Sequence, residues 1–498
     1  MQNKISQKVF SKLGSVLLAS AIFGLFFYLT QSPGYSQDSS DLDWSYPVRV
    51  PQHDNSSQPP RLVSDLNNTV HSFTVDLSRG SAIAYRQWTE DIGWSIPVDI
   101  ILPPKSGSAI IFGAEIDNND VMHLVAYYGQ EGDANIYHFQ APVYFAQTAS
   151  AWSEPQLIAA DGGPIADGHF VSDGGDNLYV VYEGDGDGLG LYEVHSEDGG
   201  VSWSEPAAVY LSSGNEFLPA AVETHLDEAG NLHVVWSIWS ATLGAGVELF
   251  YSQKTKGSQT WTRPFLIADR GEGDYESDWA AITSTGDELI VLYQDSNPAT
   301  KFMRKSRDNG QTWTDPERPW PHIGEYENAI FLKDSANNLH VVLGNRNGDC
   351  CHGMWHGRYE NGSWQNLESV IQGPKTIDFD PSKPSAVMGQ GNLIFIVWWM
   401  DTSARNGAWY SYAYLDDVEP LPQKAIQIPI SNTQTELAAA DEDIAISAEA
   451  TRPVILDPSL TAPDEGLPSS TAITIGIAIS LAGILLAMLV WYFFYKLR

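Results

Sequence analysis

Asn231-Leu-His233-Val-Val-Trp236-Ser-Ile238 follows directly on the turn-forming cluster Asp227-Glu-Ala-Gly230. An apolar, β-branched run behind such a cluster reads as a buried strand entered from a tight turn. Equivalent segments stand around His71, His123, Tyr179, Ile290, His340 and Ile394, and the steps along the seven are 52, 56, 54, 57, 50 and 54 residues. A second marker keeps the period: Trp94, Trp152, Trp203, Trp261, Trp313 and Trp364 lie 58, 51, 58, 52 and 51 residues apart. A repeat near fifty residues, with several short strands per unit, is the signature of propeller blades, and four-stranded blades fit that length. A solenoid is disfavoured because no unit carries a sustained helical period. The expected fold is all-β, a β-propeller of four-stranded blades. The first marker favours seven blades, with six plus extra strands as the alternative. The seventh unit lacks the Trp turn, so its outer strand comes either from Ala425 to Ile430 or, by ring closure, from Tyr46 to Val50. Closure removes exposed sheet edges, which explains how a long all-β chain stays soluble.

The chain has 498 residues and a formal net charge of -35. A nucleic-acid partner needs a basic footprint and is excluded; a solubilising acidic surface, a bound cation or a neutral ligand all suit the charge. Cys350 and Cys351 are adjacent, and with His352 and His356 they match no standard zinc spacing. They read as a loop feature such as a vicinal disulfide, and no disulfide framework holds the fold.

Both ends carry membrane signals. Lys4, Lys8 and Lys12 precede the apolar run Leu13 to Thr30, with Gly34 and Ser36 beyond it. Residues 1–36 thus read as a signal peptide or an uncleaved N-terminal anchor. Ala472 to Tyr495 is long and apolar enough to span a bilayer. Lys496 and Arg498 after it put the C-terminus in the cytoplasm and the large domain outside, a single-pass arrangement in the cell membrane. The expected organisation is a propeller over 45–415, an acidic Pro/Ala/Thr-rich stalk over 416–470, a transmembrane helix over 472–495 and a short cytoplasmic tail over 496–498.

Ser196-Glu-Asp198-Gly-Gly200-Val-Ser-Trp203 and Ser306-Arg-Asp308-Asn-Gly310-Gln-Thr-Trp313 both fit Ser-x-Asp-x-Gly-x-x-Trp. The pattern resembles the Asp-box, or BNR repeat, of the sialidase (neuraminidase) superfamily, over roughly residues 45 to 415. The turns ending at Trp94, Trp152, Trp261 and Trp364 look like degraded copies, with Lys254 where an Asp is expected. A short carboxylate can fix such a hairpin by accepting backbone N–H groups, Gly supplies a positive φ, and the Trp packs between sheets. The resemblance implies that the boxes are scaffold on the face opposite the active site. His71, His123, His233 and His340 share a repeat position with Ile290 and Ile394, so they too read as scaffold.

The resemblance further implies three arginines on an anionic sugar, a Tyr nucleophile activated by Glu, and an Asp acid/base. The fit is poor, since Tyr46-Pro-Val-Arg49-Val-Pro51 only blurs the family's Phe/Tyr-Arg-Ile-Pro motif. The functional face is expected on the loops between second and third strands and on the links between blades. Arg79, Arg270, Arg346 and Arg405 fall there as candidate substrate-binding residues, with Arg61 near a blade's start and Trp279 and Tyr326 as candidate sugar-stacking rings. Acids are more numerous in the same places. Asp167, Glu216, Asp278, Glu327 and Asp380 stand before successive inner strands and are the candidate catalytic carboxyls, because glycoside hydrolysis needs one acid of raised pKa and one base or nucleophile. A carboxylate ring also suits a calcium ion or a neutral glycan, or is a solvated rim without a ligand. The favoured reading is a cell-surface propeller that binds glycans or glycoproteins without catalysis. The alternatives are an exo-sialidase or related glycoside hydrolase, and a non-catalytic adhesion or assembly module. No cofactor is demanded; calcium is the one candidate.

Overall fold

The computed structural model describes residues 42–53, 59–269, 277–295, 300–324, 329–346, 352–400, 402 and 405–424. The chain divides after Ile428, and all described residues belong to the first unit. The expected terminal membrane segments, the stalk beyond Lys424, both cysteines, Arg270, Tyr326, Glu327 and the 425–430 strand lie outside them. Among the described residues no helix is long and apolar enough to cross a membrane.

The described residues form seven antiparallel sheets, each read as a blade from its inner strand outward. Blade 1 runs through Arg61–Ser64, Val70–Asp76 and Ala82–Thr89 to Gly93–Trp94 and Val98–Ile101. Blade 2 comprises Ser108–Ile116, Val121–Gln130, Asp133–Pro142 and Gln156–Ala159, and blade 3 Gly168–Ser172, Leu178–Gly184, Gly190–Ser196 and Ala207–Leu211. Blade 4 comprises Phe217–Leu226, Leu232–Ser240, Ala245–Lys254 and Phe265–Asp269. Blade 5 has Asp278–Thr285, Glu288–Asp295 and Thr300–Ser306, with Glu317 bridging to Met303 in place of a regular outer strand. Blade 6 runs through Ile330–Lys333, Leu339–Asn345 and His352–Glu360 to Ser363–Trp364 and Glu368–Gly373. Blade 7 comprises Pro381–Gly389, Leu393–Met400 and Gly407–Tyr414, and its outer strand is Val48–Arg49, paired to Tyr410 and Trp409. The N-terminal segment therefore closes the ring. Each inner strand touches those of both neighbouring blades, from blade 1 round to blade 7 and back, so the seven line a common centre.

Packing between blades explains the sequence pattern. In Leu393–Met400 every residue is buried, because both faces of the second strand lie against a neighbouring sheet. At the seam, Trp88 of blade 1 meets Phe395 and Tyr412 of blade 7 at ring distances of 4.6 and 4.9 Å.

The turns are fixed by carboxylates. Between inner and second strands, Asp65, Asp117, Asp173, Asp227 and Asp334 each accept the backbone N–H four residues on, at 2.7–3.2 Å. Two residues further, after Asp65, Asp117, Asp227 and Asp334, lies the recurrent histidine, and after Asp173 stands Tyr179. His233 Nε2 is 3.1 Å from Asp227 and its Nδ1 is 2.9 Å from the Tyr251 hydroxyl; His340 is 3.2 Å from Asp334 and 3.0 Å from His356. The buried histidine thus ties the turn to the third strand. Between third and outer strands, Asp198 accepts Ser202 N–H at 2.8 Å and the Ser202 and Ser196 hydroxyls at 2.6 and 2.8 Å, and Asp308 repeats this with Thr312 and Ser306. These bonds hold the Asp198 carboxyl down at about 2, the Ser202 hydroxyl contributing most.

Candidate functional site

Both sets of carboxylate-fixed turns lie at one end of the ring. The second-to-third-strand loops and the links between blades make the other end, and the described sequence-derived candidates fall there. Glu216 is exposed one residue before its inner strand. The other described acids are engaged across blade boundaries. Asp167 accepts N–H of Gly168 at 2.7 Å and of Ala221, in the next blade, at 2.5 Å. Asp278 is buried and accepts the Trp239 indole N–H of blade 4 at 2.6 Å and its neighbour Trp279 N–H at 2.7 Å. Asp380 is met by Arg346 through Nε at 3.1 Å and Nη2 at 2.6 Å, by Lys375 at 3.3 Å and by His352 at 3.3 Å. Burial pushes its carboxyl up, yet the Arg346 pairing, with Lys375, holds it below the ordinary range.

Trp279 has φ 52°, as Ala221 and Lys383 have 49° and 51°. All three sit where an inner strand slips register, in blades 5, 4 and 7. Such bulges re-aim a strand, and here the N–H groups of Ala221 and Trp279 point at Asp167 and Asp278. That pattern was invisible in the sequence because no glycine marks it.

The arginines are dispersed. Arg79 is exposed and pairs with Asp99 and, at 3.8 Å, with Asp76 in blade 1. Arg405 lies over the Trp409 ring at 5.8 Å in blade 7, and Arg346 is bound to Asp380. Arg61 differs: its Nε donates to the Ile111 carbonyl at 3.1 Å, and no carboxylate among the described residues pairs with it. It stands at a cavity of about 280 Å³ between blades 1 and 2, walled by Phe73, Val75, Leu77 and Ile110 with the hydroxyl residues Ser81 and Ser108.

Two further groups, His169 and Glu223, meet from the inner strands of blades 3 and 4. His169 Nδ1 is 2.7 Å from the Thr224 hydroxyl, and its Nε2 is 3.2 Å from Glu223. Burial lowers the His169 pKa, Glu223 opposing and Arg61 adding to the fall. Asp167 is pushed up to about 6, mainly by burial and against its backbone bonds, with Glu223 adding. Glu183, wholly buried in blade 3, is pushed up to about 8 by burial, against N–H bonds from Ile165 and Ala166. Sequence periodicity flagged the second strands, so inner-strand residues such as His169 and Glu223 carried no signal. Among the described residues no three His, Cys, Asp or Glu side chains are placed to hold a metal ion, so the calcium expectation gains no ligand set here.

Residues 130–347 match the model of the BNR repeat-like domain. No characterised protein sequence matches the chain. Among solved structures, a PL25 ulvan lyase bound to -[GlcA(1-4)Rha3S]- is 10% identical over 72% of this chain and 95% of its own, with a TM-score of 0.48. A protein of unknown function from Dyadobacter fermentans is 13% identical over 75% and 99%, at 0.43. The NanB sialidase of Streptococcus pneumoniae is 13% identical over 76% and 71%, at 0.41. The described residues form a β-propeller of seven blades, part of which, residues 130–347, matches the BNR repeat-like domain.

Proposed function

We propose that this propeller is a glycan-binding module whose ligands carry an anionic group, displayed outside the cell on the stalk and C-terminal helix that the sequence suggests. The observation that carries the reading is Arg61, a guanidinium with no carboxylate partner among the described residues, at an apolar-walled cavity, in a chain of net charge -35. In a chain with this excess of acids, a cation beside a cavity with no acid paired to it among the described residues is available to an anionic ligand. The apolar wall suits the carbon face of a sugar and the serines its hydroxyls. Among the candidate carboxyls, Asp167, Asp278 and Asp380 are held in inter-blade bonds, which supports recognition over catalysis.

The test is a binding screen of sialylated, uronate-containing, sulfated and neutral glycans against the full chain, with and without calcium. Retention of acidic glycans, lost in Arg61→Ala with the unfolding midpoint unchanged, supports the proposal. Equal binding by Arg61→Ala, or preference for neutral glycans, overturns it. Hydrolysis is the second reading, favoured by one observation: the Asp167 carboxyl at about 6 beside Glu223. Turnover of a fluorogenic glycoside, abolished by Asp167→Asn, would establish it.

A further inference from the structure

We infer that residues 415–424 form a clasp that runs over the turn end of the ring and ties blades 6 and 7 to blade 2 across the closing seam. The segment leaves blade 7 after Tyr414, and Leu415 and Val418 bury themselves with Leu42 and Trp44 against blades 6 and 7. Asp417 pairs with Arg358 of blade 6 at 2.8 Å, and the Glu419 carbonyl accepts the Ser335 hydroxyl in the blade 6 turn. Leu421 makes a reciprocal pair with the blade 7 turn: its N–H donates to the Gln390 carbonyl at 2.7 Å, and its carbonyl accepts the Gln390 amide at 2.5 Å. Lys424 then reaches blade 2, 2.7 Å from the Asn118 carbonyl and 2.8 Å from Asp120.

These partners lie on the turns between inner and second strands or beside them, at the end opposite Arg61. The path passes blade 1 and spans the junction between blades 7 and 1, where Val48–Arg49 completes blade 7. The strand that completes blade 7 is short, Val48–Arg49 with flanking bonds from Ser45 to Tyr412 and Val50 to Ala408; the clasp adds an independent tie.

Hydrogen exchange on the full chain tests this. The Leu421 amide should exchange far more slowly than in an unstructured peptide. Lys424→Glu, which sets like charges together at Asp120, should speed exchange across 415–424 about fivefold or more. Asp120→Lys combined with Lys424→Glu should restore protection. The milder Gln390→Ala should expose Leu421 while protection in Leu393–Met400 persists, which separates clasp release from unfolding. Unprotected exchange of Leu421 in the unaltered chain, or a double variant as fast as Lys424→Glu alone, would overturn the inference.

Discussion

Gly310 lies against the Tyr251 phenol of the preceding blade, so closely that a β-carbon on it would overlap the ring. Its φ is 77°, and Gly200, at 83°, stands in the same relation to His138. The glycine of each Ser-x-Asp-x-Gly turn is therefore an inter-blade contact as well as a turn residue. Gly310→Ala should combine left-handed strain of about 1–2 kcal/mol with overpacking of about 1–3 kcal/mol. Gly80, with φ 66° and open space around it, should show the strain alone when changed to Ala. Denaturant midpoints at matched slope compare the two; equal losses would sink the contact argument.

Asp278 offers a test of scaffold against chemistry. Asp278→Ala leaves the Trp239 indole and the Trp279 amide without their acceptor, at about 1–3 kcal/mol for each buried donor. Asp278→Asn keeps an oxygen for one of them and should retain much of the stability. Loss of glycan binding or turnover in Asp278→Asn, with stability kept, would instead assign the residue to the site.

Glu183 and His138 make stability depend on pH in opposite senses. The folded chain holds the Glu183 proton up to about 8, against an ordinary 4.5, so it binds more protons than the unfolded chain between these values. That contribution is full below 4.5 and is lost as pH rises through 8. Glu183→Gln should remove the loss, making the variant more stable relative to the unaltered chain at pH 9 than at pH 5. His138 is pushed down to about 4 by burial, with His123 beside it. The unfolded chain then takes the proton first, and stability falls as pH drops from 6.5 towards 4. Urea midpoints from pH 4 to pH 9 read both limbs, and a flat alkaline limb in the unaltered chain would refute the Glu183 assignment.

Trp44 packs edge-on against His356 at 5.9 Å and is buried with Leu42, Leu415 and Val418. It anchors the N-terminal segment that closes the ring. Trp44→Ala should cost about 3–5 kcal/mol. The loss should appear first as faster hydrogen exchange in Gly407–Tyr414, the strand to which Val48–Arg49 pairs; uniform loosening of all seven blades would contradict a local closing role.

Much of the fold was legible along the chain. The second strands are buried on both faces, so each carries a near-continuous apolar run, and a run recurring every fifty residues announces blades whatever their arrangement. The Ser-x-Asp-x-Gly turns were equally plain, because their hydrogen bonds are made within five residues. The recurrent histidines were read as scaffold, and their buried bonds from turn to third strand are those of scaffold. The sequence left two strands as candidates to complete blade 7, and the structure pairs Val48–Arg49 there.

The site was not legible to the same degree. Asp167, Asp278 and Asp380 are alike in the sequence, each beside the start of an inner strand. Only the tertiary structure gives Asp167 a backbone N–H from the next blade, Asp278 an indole and Asp380 the side chains of Arg346, Lys375 and His352. It likewise pairs Arg79 and Arg346 while leaving Arg61 at a cavity. The sequence by itself determined the blades, because strand burial and turn closure depend on neighbours a few residues away. What each charged side chain faces depends on residues tens to hundreds of positions distant, brought together when the ring closes, and burial and hydrogen bonding at those junctions set which groups stay charged and available.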